Sequence, residues 1–137
     1  MTRKLLFGCI PDELFSNPEA FISAVRSGAP GQWLASMIQS TGLQEGIGNA
    51  LAMNPDQLVL ACQSDALSRR TTESMLDVAR VLKAGEATWG SQEKSIEWLV
   101  SSVPALADNS PLNLMDTFEG RRWVMQTLRK IEYGDFS

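Results

Sequence analysis

The chain has 137 residues, 12 Lys+Arg against 16 Asp+Glu, a formal net charge of -4 and no histidine. That length makes one ordinary domain or two small helical halves, and a hydrophobic content of 44% suits a folded chain rather than a disordered one. The missing histidine removes His general bases, Ser-His and Cys-His nucleophiles and most zinc sites, while the acidic balance disfavours DNA or anionic lipid unless the few cations are clustered.

In chain order, Leu5 to Ile10 is the one apolar run that reads as a strand. It follows Arg3-Lys4 and stops at Pro11-Asp12-Glu13, too short for the apolar core of a secretory leader. No stretch approaches the roughly 20 apolar residues of a membrane helix. A cytoplasmic protein without a membrane role is expected. Cys9 and Cys62 form no CxxC pair and read as free thiols, Cys62 as a small core residue in Leu58-Val59-Leu60-Ala61-Cys62.

Helix punctuation then recurs. Asn17-Pro18, Asn54-Pro55 and Ser110-Pro111 each place a capping side chain before a proline, which loses nothing at the first helical position because its N–H has no helical partner there. Asn54-Pro55-Asp56-Gln57 approximates a capping box. Apolar residues follow at helical spacing: Phe21, Ile22 and Val25 up to Gly28; Trp33, Leu34, Met37 and Ile38 up to Gly42; Ile47 and Leu51; Leu58, Val59, Ala61 and Cys62. A longer helix from Thr71 or Thr72 carries Met75, Val78, Ala79 and Leu82, and Ser91 precedes Ile96, Leu99 and Val100. In the last segment Trp123, Val124, Thr127, Leu128 and Ile131 form one face after Thr117, with Gly134 in the position of a helix-ending glycine. The expectation is an all-α chain of seven or eight helices.

Residues 44–51 and 55–65, joined by Ala52-Met53-Asn54, have the spacing of a helix-turn-helix. No lysine or arginine lies between Arg26 and Arg69, whereas Glu45, Asp56 and Asp65 do. Gln57 and Gln63 are the side chains able to read an adenine edge, and Arg69-Arg70 are the nearest phosphate anchors. The same corner also reads as purely structural, with Arg69-Arg70 solvated or meeting a protein partner.

The final third carries the most specific pattern: Ile96-Glu97-Trp98-Leu99, Val103-Pro104-Ala105-Leu106, Ser110-Pro111-Leu112-Asn113-Leu114-Met115-Asp116-Thr117, then Gly120, Val124, Leu128 and Ile131-Glu132-Tyr133-Gly134. This resembles the toxin-binding domain of the Xre/MbcA/ParS antitoxins. Upstream, Val25-Arg26-Ser27-Gly28-Ala29-Pro30, Leu67-Ser68-Arg69-Arg70 and the segment Leu76-Asp77-Val78-Ala79-Arg80-Val81-Leu82 resemble the family's helix-turn-helix half and connecting helix. The resemblance implies residues 1–19 as an unassigned extension, 20–85 as a helix-turn-helix-like domain and 86–137 as the toxin-binding domain. It further implies a RES-domain toxin that consumes NAD as partner, a homodimer within the complex, obstruction of the toxin's active site by the C-terminal segment, and autoregulation through operator DNA.

On that reading the toxin contact falls to a basic helix face, Arg121, Arg122, Arg129 and Lys130, and to a tail, Tyr133, Gly134, Asp135, Phe136 and Ser137. Tyr133 and Phe136 would fill an apolar slot. Asp135 and the terminal carboxylate would meet cations that otherwise hold NAD phosphates. Trp33, Trp89, Trp98 and Trp123 read as core, and Met125 as a residue facing a dimer or toxin contact. The alternative function is a DNA-binding regulator without a toxin partner. An enzyme would rest on Cys9, Cys62 or the Glu93/Glu97 pair, which reads as solvated surface; no catalytic residue, metal or cofactor is expected.

Overall fold

The computed structural model describes residues 4–134. Among them are seven α-helices, three short 3-10 turns and one minimal hairpin, so the chain is all-α as its periodicity implies. It divides into two compact units, one ending at Leu76 and the other starting at Asp77.

In the first unit, β1 (Leu5–Leu6) pairs antiparallel with β2 (Ile10–Pro11), placing Leu6 opposite Ile10. The expected single strand therefore folds back on itself. Phe7 and Gly8 take φ of 54° and 82°, the left-handed pair at the centre of a three-residue loop, Phe7-Gly8-Cys9, in which the Cys9 N–H donates to the Leu6 carbonyl at 3.3 Å. A phenylalanine at the first of these positions hides the turn from composition rules. A 3-10 turn (Asp12–Phe15) follows, burying Leu14. Helix α1 (Pro18–Ser27) starts where expected, with the Asn17 side chain accepting from the Ala20 N–H at 3.2 Å. It packs on the Asp12–Phe15 turn.

Helices α2 (Gly31–Thr41), α3 (Gln44–Ala50) and α4 (Pro55–Cys62) pack together, and Leu34, Met37, Ile47 and Leu58 are buried. The Asn54 capping box is complete: its side chain accepts from the Gln57 N–H at 2.8 Å, and its own N–H donates to Gln57 Oε1 at 2.9 Å. α4 ends at Cys62, short of the expected Asp65. Val59, expected inside, faces out together with Leu60.

Backbone bonds lace the loop after α1 to the loop after α4. The Leu67 N–H donates to the Ala29 carbonyl at 2.7 Å and the Gly31 N–H to the Ser64 carbonyl at 2.9 Å. The Ala29 N–H donates to the buried Thr72 hydroxyl at 3.0 Å. Gly28 sits in this crossing with φ 84°, and a Cβ there would strike the Leu67 carbonyl oxygen. Glycine satisfies both the positive φ and the close approach. Helix α5 (Arg69–Trp89) begins earlier than expected because the Ser68 hydroxyl accepts from the Thr71 N–H at 3.1 Å. Arg69 and Arg70 thus open the helix rather than preceding it in a loop.

The second unit comprises the rest of α5, helix α6 (Gln92–Leu99), 3-10 turns at Pro104–Leu106 and Pro111–Leu114, and helix α7 (Phe118–Glu132). Ser91 caps α6 and Thr117 caps α7, accepting from Lys94 and Gly120 N–H groups at 3.2 and 2.9 Å. Ser110-Pro111 opens only a single 3-10 turn. The Trp89 and Trp98 rings lie 5.9 Å apart and tilted. α7 packs on both 3-10 turns, with Leu106, Met115, Val124 and Leu128 buried. A Cβ on Gly120 would run into the Leu114 carbonyl oxygen, so this glycine lets the first turn of α7 lie directly on the preceding turn.

Candidate functional site

Helix α7 presents two contrasting faces. Gly120, Arg121, Val124, Thr127 and Leu128 are buried, the spacing of one helical stripe. Arg121 was expected on the outward basic face, and the structure corrects this: it is 8% exposed. It lies beside Gly120 and one turn before Val124, so its position puts it inside although its side-chain type suggests outside. Burial is tolerated because the guanidinium is paired with a carboxylate and also hydrogen-bonded to a backbone carbonyl. Arg121 Nε donates to Asp77 Oδ2 at 2.6 Å and Nη1 to the Met115 carbonyl at 2.8 Å. The other Asp77 oxygen accepts from Arg80 at 3.0 Å. Trp123 shows the reverse correction: expected in the apolar face, it is 37% exposed, because its position falls on the far flank of the buried stripe.

Phe118, Arg122, Arg129 and Tyr133 are exposed and Met125 is half-buried. At about 100° per residue these five fall within an arc of about 80°, a continuous row from the first helical residue to the residue that ends the helix. Phe118 and Tyr133, at the two ends, are 68% and 83% exposed. Arg122 makes an exposed ion pair with Glu119 at 2.8 Å. Lys130 is exposed but lies off the row, on the flank of Trp123. Gly134 has φ 72° and donates its N–H to the Ile131 carbonyl at 3.1 Å, the left-handed residue that stops a helix. The expected tail residues Asp135, Phe136 and Ser137 lie outside the described residues. Phe118 is the surface residue that sequence reasoning missed. Its signal was available: an aromatic directly after the Thr117 cap, one helical turn before Arg122.

In the first unit, Gln57 and Gln63 are both exposed. The Gln57 amide oxygen is committed to the Asn54 cap, and Gln63 ends α4. Between them the outer surface of α4 carries Val59 and Leu60. Arg69 and Arg70 come together instead with Arg26 of α1. The three line one cleft of about 300 Å³ whose other walls include Phe21, Ile22 and Glu73.

Neither thiol is in a disulfide, and burial pushes the Cys62 thiol above its ordinary value, which suppresses the nucleophilic thiolate. Among the described residues no group of three His, Cys, Asp or Glu side chains is placed to hold a metal ion. No described helix is long and apolar enough to cross a membrane.

Residues 84–134, which include α6, both 3-10 turns and all of α7, match the family model described as the antitoxin Xre/MbcA/ParS C-terminal toxin-binding domain. No curated protein matches the chain.

Proposed function

Residues 84–134 belong to the toxin-binding domain family of the Xre/MbcA/ParS antitoxins, and from that premise we propose that the chain is the antitoxin of a type II toxin–antitoxin pair. Its partner is a RES-domain toxin that consumes NAD, or uses NAD to modify a protein. The antitoxin neutralises it without chemistry of its own. It occupies the toxin's surface, and its C-terminal segment obstructs the active site. In this reading residues 20–85 are a helix-turn-helix-like half, residues 86–137 bind toxin, and the antitoxin works as a homodimer within the complex.

The supporting observation is the outward face of α7 inside the matched segment. Arg122, Arg129, Lys130 and Tyr133 are all exposed there, so cations and an aromatic are concentrated on a chain that is acidic as a whole. Arg121 supports this surface from beneath by tying α7 to Asp77 and Met115. Gly134, with φ 72°, marks the end of the helical stretch. The test is NAD turnover by the RES-domain toxin in the presence of the chain truncated after Gly134. Truncation should weaken inhibition while far-UV circular dichroism is preserved. Full inhibition by the truncated chain would exclude obstruction by the segment.

A second reading, operator binding by the first unit, draws on the cleft where Arg26, Arg69 and Arg70 meet. Such a site would hold backbone phosphate and would give salt-sensitive binding. Gel-shift titration on the chain's own promoter should show affinity that falls with salt and is lost on Arg69→Ala/Arg70→Ala. A flat titration, with and without toxin, would remove this reading.

A further inference from the structure

The outward row of α7 is more specific than a basic patch. Phe118, Arg122, Met125, Arg129 and Tyr133 follow one another at intervals of four, three, four and four residues, the spacing that keeps side chains on one line of a helix. Over this length the row runs about 22 Å along the helix axis, at about 1.5 Å per residue. Its composition has an order: a large aromatic at each end, an arginine inside each aromatic, and a flexible methionine in the middle. Lone exposed apolar residues are ordinary on a protein surface, but two large exposed aromatics on one line with a half-buried methionine and two arginines form a patch of the kind that marks an interaction site.

Resting on the antitoxin reading above, we propose that this row docks lengthwise into a groove on the toxin. The groove has an apolar pocket at each end, for Phe118 and for Tyr133, and carboxylates between them facing Arg122 and Arg129. Charge selects the occupant. Arg129 has no acidic partner among the described residues, and Arg122 has only the solvent-exposed Glu119, a pair that a partner carboxylate can exchange. A second copy of this chain would bring the same arginines against each other, and a polyanion would leave Phe118 and Tyr133 without apolar contacts. An acidic, apolar-ended protein groove satisfies all five side chains, in the manner of a helix read through anchors at one face. Residues at the ends supply the buried anchors, and the arginines steer approach and fix register.

The row shares only Tyr133 with the tail and needs no residue after Gly134, so it should set affinity even in the chain truncated after Gly134. The experiment uses the full chain and a catalytically inactive form of the RES-domain toxin encoded beside it, with affinity and association rate read by surface plasmon resonance. Phe118→Ala and Tyr133→Ala should each weaken binding by about tenfold or more, mainly through faster dissociation. The double change Arg122→Glu/Arg129→Glu should slow association and abolish its acceleration at low salt. Asn113→Ala, an exposed change elsewhere in the same unit, serves as control, and circular dichroism verifies the fold of each variant. If wild-type chain binds and all the row variants bind within about twofold of it, the docking row is overturned while the antitoxin reading stands. If wild-type chain does not bind the toxin, the antitoxin reading falls and the row falls with it.

Discussion

Arg121 is held by Asp77 and by the Met115 carbonyl, so removing its side chain leaves a mostly buried carboxylate with Arg80 as its remaining cation. Arg121→Ala should destabilise the fold by about 3 kcal/mol, read as a lower midpoint in urea unfolding. Gly120→Ala should cost about 2 kcal/mol through overpacking, because the new methyl meets a backbone carbonyl oxygen that belongs to a tight turn. Cys62 offers a different test. Burial raises its thiol pKa, so folding favours the protonated form. That contribution is complete below the ordinary thiol value and is lost as pH climbs through the raised one. Iodoacetamide should therefore label Cys62 more slowly in the native chain than in the urea-unfolded chain at mildly alkaline pH, as read by mass spectrometry of the alkylated peptide. Arg121 and Trp123 also mark the limit of reading residues by type. Side-chain hydrophobicity alone draws the tryptophan of α7 inward and its arginine outward. The ion pair with Asp77, distant in sequence, is what allows the opposite placement.

Helix starts were legible because capping is local chemistry. Asn17, Asn54, Ser91 and Thr117 each precede their helix and each accepts the expected N–H, since a cap needs only the three residues that follow it. Thr117→Ala should remove the bond to the Gly120 N–H and cost about 1 kcal/mol. The same change should fray the first turn of α7, visible as faster amide exchange around residues 118–121. Features set by contacts across the sequence were less legible. The start of α5 depends on Ser68 acting as cap one turn ahead of the threonines that looked like the beginning. The end of α4 at Cys62 coincides with the backbone bonds that bind residues 64 and 67 to the loop after α1. The Phe7-Gly8 hairpin escaped because an aromatic residue in the left-handed region carries no compositional signal. The proposed docking row was half visible: Arg122, Arg129 and Tyr133 stand out by charge and position in the sequence, whereas Phe118 emerges only once the helix is seen to start there.

At the scale of the whole molecule, charge is unevenly distributed. The chain is acidic overall, and no cation lies between Arg26 and Arg69. In the first unit, Arg26, Arg69 and Arg70 gather at one cleft; in the second, Arg122, Arg129 and Lys130 lie on the exposed side of α7. The proposed function, occupation of another protein's surface, calls on none of the catalytic systems that need histidine, a residue the chain lacks. An inhibitor of this kind needs complementarity and a stable helix, and α7 has both a cap and a buried stripe to hold it. The most direct measurement of this account is NAD turnover by the purified RES-domain toxin titrated with the full chain. Turnover should fall in proportion to added chain and reach zero at a fixed stoichiometry. Turnover that stays constant through a large molar excess of chain would contradict the account at its centre.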